Sequence, residues 1–494
     1  MSSTFKDLNA SEIDIVLKQS QEAFLSYRKM NGAAKASFLE AIASEIEALG
    51  PALVQKAMEE TNLPEARLAG ERGRTCNQLR QFAALVKEGS WVDARVDTAI
   101  PDRAPLPKPD IRKMLVPLGP VVVFGASNFP LAYSTAGVDT AAALAAGCPV
   151  VLKAHPAHPA TSELVAGAII KAAQKSSIPA NVFQHVHGSS FESGKTLVQH
   201  PLTKAVGFTG SFSGGMALYN YAVQRKEPIP VFAEMGSINP VFILPGALKA
   251  RGEKIADMYA ASITQSVGQF CTNPGLMLAT KSSELDKFQE QLGMKMKDIA
   301  PGTMLHPGIA SSFVKNRQKA LSQKGVAMVA ESKEKPRENQ GTSTLAVVNA
   351  IDFLNNPVLE EEVFGPYSLL VKASGIDELK QAVLKMPGQL TATVIGEDDE
   401  LVQYADFIQL LMERVGRLII NGVPTGVEVC PSMHHGGPFP ATTDSRFSSV
   451  GIDAIKRFVR PVSFQNFPDA LLPEELKQAN PLGIWRLFNN EWKK

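Results

Sequence analysis

The sequence predicts an α/β protein with two parallel sheets, and three observations predict it. From Val121 to Glu234 short, continuously apolar strands alternate with helical stretches, the pattern of a sheet buried on both faces. A second alternation of the same kind begins near Pro240 and runs to Asn421. Residues with chemistry to offer (Asn128, Lys153, Gly210, Ser211 and Glu234) stand at strand ends, where open parallel sheets bind their ligands. The chain has 494 residues, 45% of them hydrophobic and 20% charged, enough for more than one core.

Residues 11–90 read as helices, with an N-cap at Ser11 and helical spacing of Leu39, Ile42, Ile46 and Leu49. Four prolines between Ile100 and Asp110 make an extended connector. In the first alternation the predicted strands are 121–124, 149–153, 182–186, 205–208 and 231–234. The helices between them are 131–146, 161–175, 191–199 and 213–224. In the second, strands are predicted at 242–244, 276–279, 345–349, 368–372, 391–395 and 418–421, with helices at 255–266, 283–296, 376–386 and 398–413. Residues 331–341 read as a polar loop, 422–444 as a long Gly/Pro/His-rich loop, and 458 to Trp485 as a strand followed by a short helix.

The composition narrows the function classes. A net charge of +1 without a long basic run gives no footprint for nucleic acid or an anionic membrane. Four scattered cysteines form no disulfide framework, and no leader or bilayer-length apolar run stands out, so a cytoplasmic location is expected. The histidine pairs His155/His158, His185/His187 and His434/His435 find no Cys or acid at ligand spacing, so no metal is expected.

One stretch organises the chemistry. The helical run Ile255 to Ser266 ends at Gly268, and Cys271 follows in a turn closed by Asn273-Pro274-Gly275. A thiol on such a turn can face a cleft while its own N–H points at the atom the sulfur attacks, which suits acyl chemistry. Cys76, Cys148 and Cys430 read as packing. Glu234 ends an apolar strand, so burial is expected to raise its pKa toward the range of a general base. Phe208-Thr-Gly210-Ser211 and Gly215 make a strand-turn-helix able to approach a phosphate, although the G-x-G-x-x-G fingerprint is absent.

Taken in order, Ser127-Asn128-Phe-Pro130, Val150-Val-Leu-Lys153, Phe208-Thr-Gly210-Ser211, Ala233-Glu234-Met-Gly236, Gly268-Gln-Phe-Cys271 and Glu361-Glu362-Val-Phe364-Gly-Pro366 resemble the aldehyde dehydrogenase superfamily over nearly the whole chain. Lys153-Ala-His-Pro-Ala-His-Pro159, Phe270-Cys-Thr-Asn-Pro-Gly275, Asn421-Gly-Val-Pro-Thr-Gly-Val-Glu-Val429 and His434-His-Gly-Gly-Pro-Phe-Pro440 are similar to the branch acting on α-ketoglutaric semialdehyde and to a related fatty aldehyde branch. The resemblance implies an aldehyde dehydrogenase-like fold. It has a Rossmann-like cofactor domain (1–98 and 118–234), a catalytic domain (235–445), and a small β oligomerisation arm with the tail (99–117 and 446–494). It implies Cys271 as nucleophile, Asn128 and the Cys271 N–H as oxyanion donors, and Glu234 as base. Lys153 and Glu362 are implied at ribose hydroxyls, Phe364 at the nicotinamide, and Gly210, Ser211 and Gly215 at the pyrophosphate turn. A homodimer or homotetramer is expected.

The sequence departs from the superfamily in places. Ser127 replaces a usual Trp, and Ser237 and Ile238 replace a Gly and a Lys. Pro156 stands where NAD-preferring relatives carry a ribose-binding Glu, so NADP is expected to be preferred and NAD tolerated. The expected reaction is oxidation of α-ketoglutaric semialdehyde to 2-oxoglutarate, with Arg72 and Arg74 as anchors for the substrate carboxylate. A medium- or long-chain aliphatic aldehyde is the alternative substrate. A non-redox cysteine acyl-transferase or hydrolase is the alternative of another class.

Overall fold

The computed structural model describes residues 5–494. Four helices open the chain: α1 (Ala10–Tyr27), α2 (Gly32–Ala48), α3 (Gly50–Thr61) and α4 (Glu65–Glu88). Asn9, not Ser11, caps α1, because Asn9 and Glu12 close a reciprocal capping box. Strands β1 (Arg95–Asp97) and β2 (Ile111–Pro117) flank the proline-rich connector.

The first α/β unit follows as β3 (Val121–Phe124), α5 (Val138–Ala146), β4 (Val150–Lys153), α6 (Pro159–Lys175), β5 (Phe183–Val186), α7 (Phe191–Gln199), β6 (Ala205–Thr209), α8 (Phe212–Val223) and β7 (Val231–Glu234). Its sheet has the order β5-β4-β3-β6-β7 and is parallel throughout. The order reverses between β4 and β6, and the strand ends on either side of β3 open a crevice there.

The second unit contains β8 (Val241–Ile243), α9 (Pro245–Thr264), β9 (Leu276–Thr280), α10 (Ser283–Lys297), β10 (Gly302–Thr303), α11 (Pro307–Leu321), β11 (Ala327–Glu331) and β12 (Gln340–Gly341). It continues with β13 (Thr344–Asn349), α12 (Ala350–Leu354), β14 (Tyr367–Ala373), α13 (Ile376–Lys385), β15 (Gln389–Ile395), α14 (Asp398–Gln403), α15 (Ala405–Leu411) and β16 (Val415–Ile420). Its seven-stranded sheet runs β11-β13-β14-β9-β8-β15-β16, parallel except for the antiparallel edge β11. A third sheet, β17-β2-β1-β18-β19, joins the connector to the tail through β17 (Val459–Gln465), β18 (Arg486–Phe488) and β19 (Glu491–Lys493).

The structure corrects several expectations. The helix expected from Leu131 begins only at Val138. The buried Glu71 carboxylate of α4 accepts the Leu131 and Ala132 N–H groups, at 2.8 and 2.9 Å, so this backbone needs no helical partners. The single helix expected at 398–413 breaks at Tyr404. Helix α11 and strand β11 are additional elements. The tail has two short 3₁₀ turns where a helix was expected, in a stretch punctuated by Pro468, Pro473 and Pro481, and a hairpin of β18 and β19 follows it. Strand β1 pairs with β2 and β18, so Arg95–Asp97 belongs to the third sheet, although it lies before the expected boundary at 98. Among the described residues no helix is long and apolar enough to cross a membrane.

Two contacts carry the fold toward the crevice. Asp139 of α5 and Arg457 form an almost fully buried ion pair at 2.7 Å, fixing the segment after the long 422–444 loop against the first sheet. That loop returns to β7, where Met235 N donates to Ala441 O at 2.8 Å.

Candidate active site

Cys271 stands on a loop built under tension. After α9, Ser266, Val267 and Gly268 all take left-handed backbone, with φ of 48°, 58° and 64°. A β-branched valine there is strained, and the surroundings must hold it. Gly268 is required by space as well, since a Cβ would lie 2.3 Å from the Gly365 carbonyl. Asn273 donates to that same carbonyl at 3.2 Å. From the other side the buried Asn239 donates to Cys271 O and Asn273 O, both at 2.9 Å. Ser237, one of the departures, lies 2.9 Å from Gln389 Oε1 and accepts from Leu390 N, tying this residue pair to β15.

Three side chains from distant segments meet at the sulfur. His435 Nε2 is 3.6 Å from Cys271 Sγ and 3.1 Å from Glu234 Oε1. Ser449 donates to the other Glu234 oxygen. Glu234 is 3% and His435 1% exposed, so their coupling is not screened by water. Burial pushes the Glu234 carboxyl up, but His435, Ser449 and Cys271 together hold it below the ordinary value. The sequence predicts the opposite direction, because burial was legible and the partners were not. Burial, the Glu234 charge and its hydrogen bond push the Cys271 thiol well above its ordinary value. The thiol therefore needs an adjacent proton acceptor to become a nucleophile at neutral pH. His435 and Ser449 were missed. The only signal was the long His/Gly/Pro-rich loop, and Ser449 lies beyond the expected end of the catalytic part at 445.

Asn128 follows β3 and donates to Gln269 O at 3.3 Å, beside the Cys271 turn. Among the described residues the Cys271 N–H has no backbone acceptor. The two expected oxyanion donors are thus adjacent. Arg74 reaches this region, donating to Tyr133 Oη at 3.1 Å, and its charge acts on Cys271. Arg72 does not reach it. Its guanidinium donates to Gly50 O at 2.7 Å, because one residue past Glu71 turns the side chain about 100° around the helix. Arg67, one turn before Glu71, shares the Arg74 face and was missed.

A cleft of about 550 Å³ opens from Cys271 across the ends of β3 and β6. Asn128, Gly210, Ser211, Gly214, Glu234, Glu362 and Phe364 all line it. Ser211 caps α8 by accepting from Gly214 N at 3.2 Å, and the Phe208 ring lies where Cβ atoms on Gly210 and Gly214 would be. The N-terminus of α8 thus lies on the cleft wall, capped by Ser211 and flanked by the Phe208 ring, a place suited to a pyrophosphate. Gly215 is not part of the cleft; a Cβ there would strike Met235, so its smallness serves helix–strand packing. Lys153 stands at the end of β4, and burial lowers its pKa against the opposing charge of Asp7. Glu362, behind Gly236, has its carboxyl pushed up to about 8 by burial.

The spacing argument against a metal does not survive folding. Glu234 and Cys271 come within 4.8 Å of the His435 ring nitrogen, and Glu163 comes equally close to His185 and His187.

Cys271, the buried His435–Glu234 pair and a cleft of about 550 Å³ lined from both parallel-sheet units form the kind of site in which an enzyme works through sulfur beside a cofactor. The chain belongs to the aldehyde dehydrogenase family, whose model matches residues 1–452. It is 50% identical over 477 residues to alpha-ketoglutaric semialdehyde dehydrogenase 2 of Azospirillum brasilense, covering 97% of this chain and 91% of the relative. It is 47% identical over 486 residues to alpha-ketoglutaric semialdehyde dehydrogenase of Acinetobacter baylyi, covering 98% and 92%. Betaine aldehyde dehydrogenase of Staphylococcus aureus superposes with a TM-score of 0.79 at 19% identity, covering 94% of this chain and 89% of that one.

Proposed function

We propose that the protein oxidises α-ketoglutaric semialdehyde to 2-oxoglutarate, with NADP preferred and NAD accepted. The observation that carries the chemistry is Cys271 touching the buried His435–Glu234 pair, with Cys271 and Glu234 lining the cleft. The substrate rests on the two relatives of about half identity and on the cations near Cys271.

The residues present fit a nicotinamide dinucleotide: the cleft is large enough, and the small residues at the start of α8 lie on its wall. Gly210 and Ser211 would hold the pyrophosphate, Lys153 and Glu362 the ribose hydroxyls, and Phe364 would flank the nicotinamide. When bound, the cofactor supplies the hydride acceptor. The His435–Glu234 pair takes the thiol proton, and Cys271 Sγ attacks the aldehyde carbon. Asn128 Nδ2 and the Cys271 N–H stabilise the oxyanion. Loss of hydride leaves a thioester on Cys271. Glu234 then removes a proton from water, which attacks the thioester and releases the acid and the thiol. The division into a cofactor part, a catalytic part and an arm that pairs subunits belongs to the same reading, with the arm extended to Arg95 and Ser448–Ser449 joined to the catalytic part.

A second cofactor reading has an observation behind it. Asp7 approaches Lys153 and supplies the acid that Pro156 does not, which would reward the 2′-hydroxyl of NAD. The experiment for the whole proposal is absorbance at 340 nm with NADP or NAD and a panel of α-ketoglutaric semialdehyde, succinic semialdehyde and hexanal. Fastest turnover of the first is expected. Fastest turnover of hexanal would transfer the proposal to the aliphatic alternative. Absence of reduction by folded enzyme with a free thiol would favour non-redox acyl transfer.

A further inference from the structure

Helix α4 brings a guanidinium to the nucleophile that neither the motifs nor the sequence pattern pointed to. Arg67 packs against the rings of Phe129 and Phe270, 4.8 and 4.6 Å from their centroids, where the two rings meet edge-to-face. Those two rings are the chain neighbours of Asn128 and Cys271. Arg67 Nη2 donates to the Asn128 backbone oxygen at 2.6 Å, so the guanidinium is anchored beside the oxyanion donor. Its Nη1 is buried without a partner.

Two more arginines act on the same spot. Arg74 and Arg417 also exert their charge on Cys271, and each has a buried Nε without a partner. All their hydrogen bonds go to uncharged oxygens: Arg74 to Tyr133 Oη, and Arg417 to Pro424 O and Gly426 O. Glu71, the carboxylate nearest Arg67 and Arg74 along α4, spends Oε1 on two backbone N–H groups, and burial raises its pKa. A half-buried guanidinium with an unpartnered N–H is costly unless an anion arrives. The two rings and the bond to Asn128 O hold the guanidinium in place, and its forked N–H groups suit a carboxylate.

We propose that Arg67 is the specificity-determining residue that receives the carboxylate of an ω-oxo acid, while Arg74 and Arg417 supply the surrounding positive field. The inference rests on the semialdehyde reading and deepens it. Arg67 makes the aldehyde side of Cys271 a site for a short aldehyde carrying a negative charge at its far end, and a poor one for an alkyl chain of equal length. Discrimination of this kind is strong because the wrong substrate leaves a buried donor unpaired.

The test compares glutaric semialdehyde with pentanal, of equal chain length, under saturating cofactor, in wild type, Arg67→Met and Arg67→Lys. The ratio of their kcat/KM values is the readout. It is expected to favour the semialdehyde in wild type, to fall at least about 30-fold in Arg67→Met through KM, and to recover in part in Arg67→Lys. If wild type shows no preference for the charged aldehyde, the semialdehyde reading and the anchor fall together. If wild type prefers it but Arg67→Met loses both substrates in step, only the anchor is overturned, and Arg67 merely supports Asn128. Should Arg67→Met be too slow to assay, protection of the resting enzyme against heat by glutarate decides. Protection in wild type that disappears in the variant supports the anchor, and equal protection in both overturns it.

Discussion

The two faces of Cys271 are built by opposite means. The face proposed for the cofactor is made of backbone and small residues at strand ends, Gly210, Ser211 and Gly214 around the start of α8, with Phe364 lining the same cleft. The aldehyde face is made of large side chains brought from far along the chain: Arg67 and Arg74 from α4, Tyr133 from the turn before α5, and His435 from the 422–444 loop. On the first face a residue's place in a βα unit sets its task. On the second face the task is set by partners, and a residue alone carries little information.

The largest expected effect breaks the aldehyde face. His435→Ala leaves Glu234 without the neighbour that does most to lower its pKa, so burial takes over and the carboxyl moves up toward neutrality. A base protonated at pH 6 cannot take the thiol proton. We expect kcat/KM to fall by roughly 10²–10³ near pH 6–7 and to recover partly as pH rises, exposing an acid limb absent in wild type. A uniform loss at all pH values would mean that His435 only packs.

Next comes the hinge between the faces. Gly268→Ala puts a methyl into the Gly365 carbonyl and adds a third non-glycine residue to the left-handed run. A loss of about 2–4 kcal/mol of stability is expected in denaturant melts. Cys271 should also show faster alkylation by iodoacetamide as the loop loosens. Unchanged stability and reactivity would show that the loop relaxes freely.

This contrast explains what the sequence could tell. The βα alternation made the first sheet legible to within a residue or two, because buried parallel strands are short and uninterrupted. Cys271, Glu234 and Asn128 were legible because turn chemistry and strand ends mark them. The direction of the Glu234 pKa was not, since His435 lies 201 residues away. Arg72 and Arg74 looked equivalent in sequence, yet the Glu71 contact with Leu131 and Ala132 sets the phase of α4 and sends Arg72 outward. The same contact removed the first two turns of the helix expected at 131–146. Charged residues on a buried helical face hide that face from any hydrophobic periodicity.

Glu362 sharpens the comparison from the cofactor side. Its carboxyl is raised to about 8, so its ionisation opposes folding from about pH 4.5 upward, and the cost grows until the pH passes 8. Glu362→Gln is therefore expected to add little at pH 5 and on the order of 2–3 kcal/mol at pH 9, allowing for its partial exposure. Thermal melts of both proteins across that range check it. Parallel curves would mean that the carboxyl is solvated in solution.

The smallest effect concerns the far end of the cofactor face, and it decides between the two cofactor readings. Asp7 accepts from Ser190 N at 3.2 Å and Ser193 Oγ at 3.5 Å, and its charge reaches Lys153. A carboxylate there can accept a hydrogen bond from a ribose 2′-hydroxyl and must repel a 2′-phosphate. The position after Lys153 that usually carries an acid is Pro156, so Asp7 would restore the charge from the other end of the chain. Near a surface, one unit charge removed at such range is worth about 1 kcal/mol. Asp7→Asn keeps the acceptor oxygen and removes the charge. The ratio of kcat/KM for NADP over NAD is expected to rise about 3- to 10-fold, with the gain shrinking at high salt because the term is electrostatic. A ratio that stays put would leave Asp7 as a cap for the Ser190–Ser193 turn. Cofactor choice would then rest on the uncharged Pro156 alone, as the local sequence predicts.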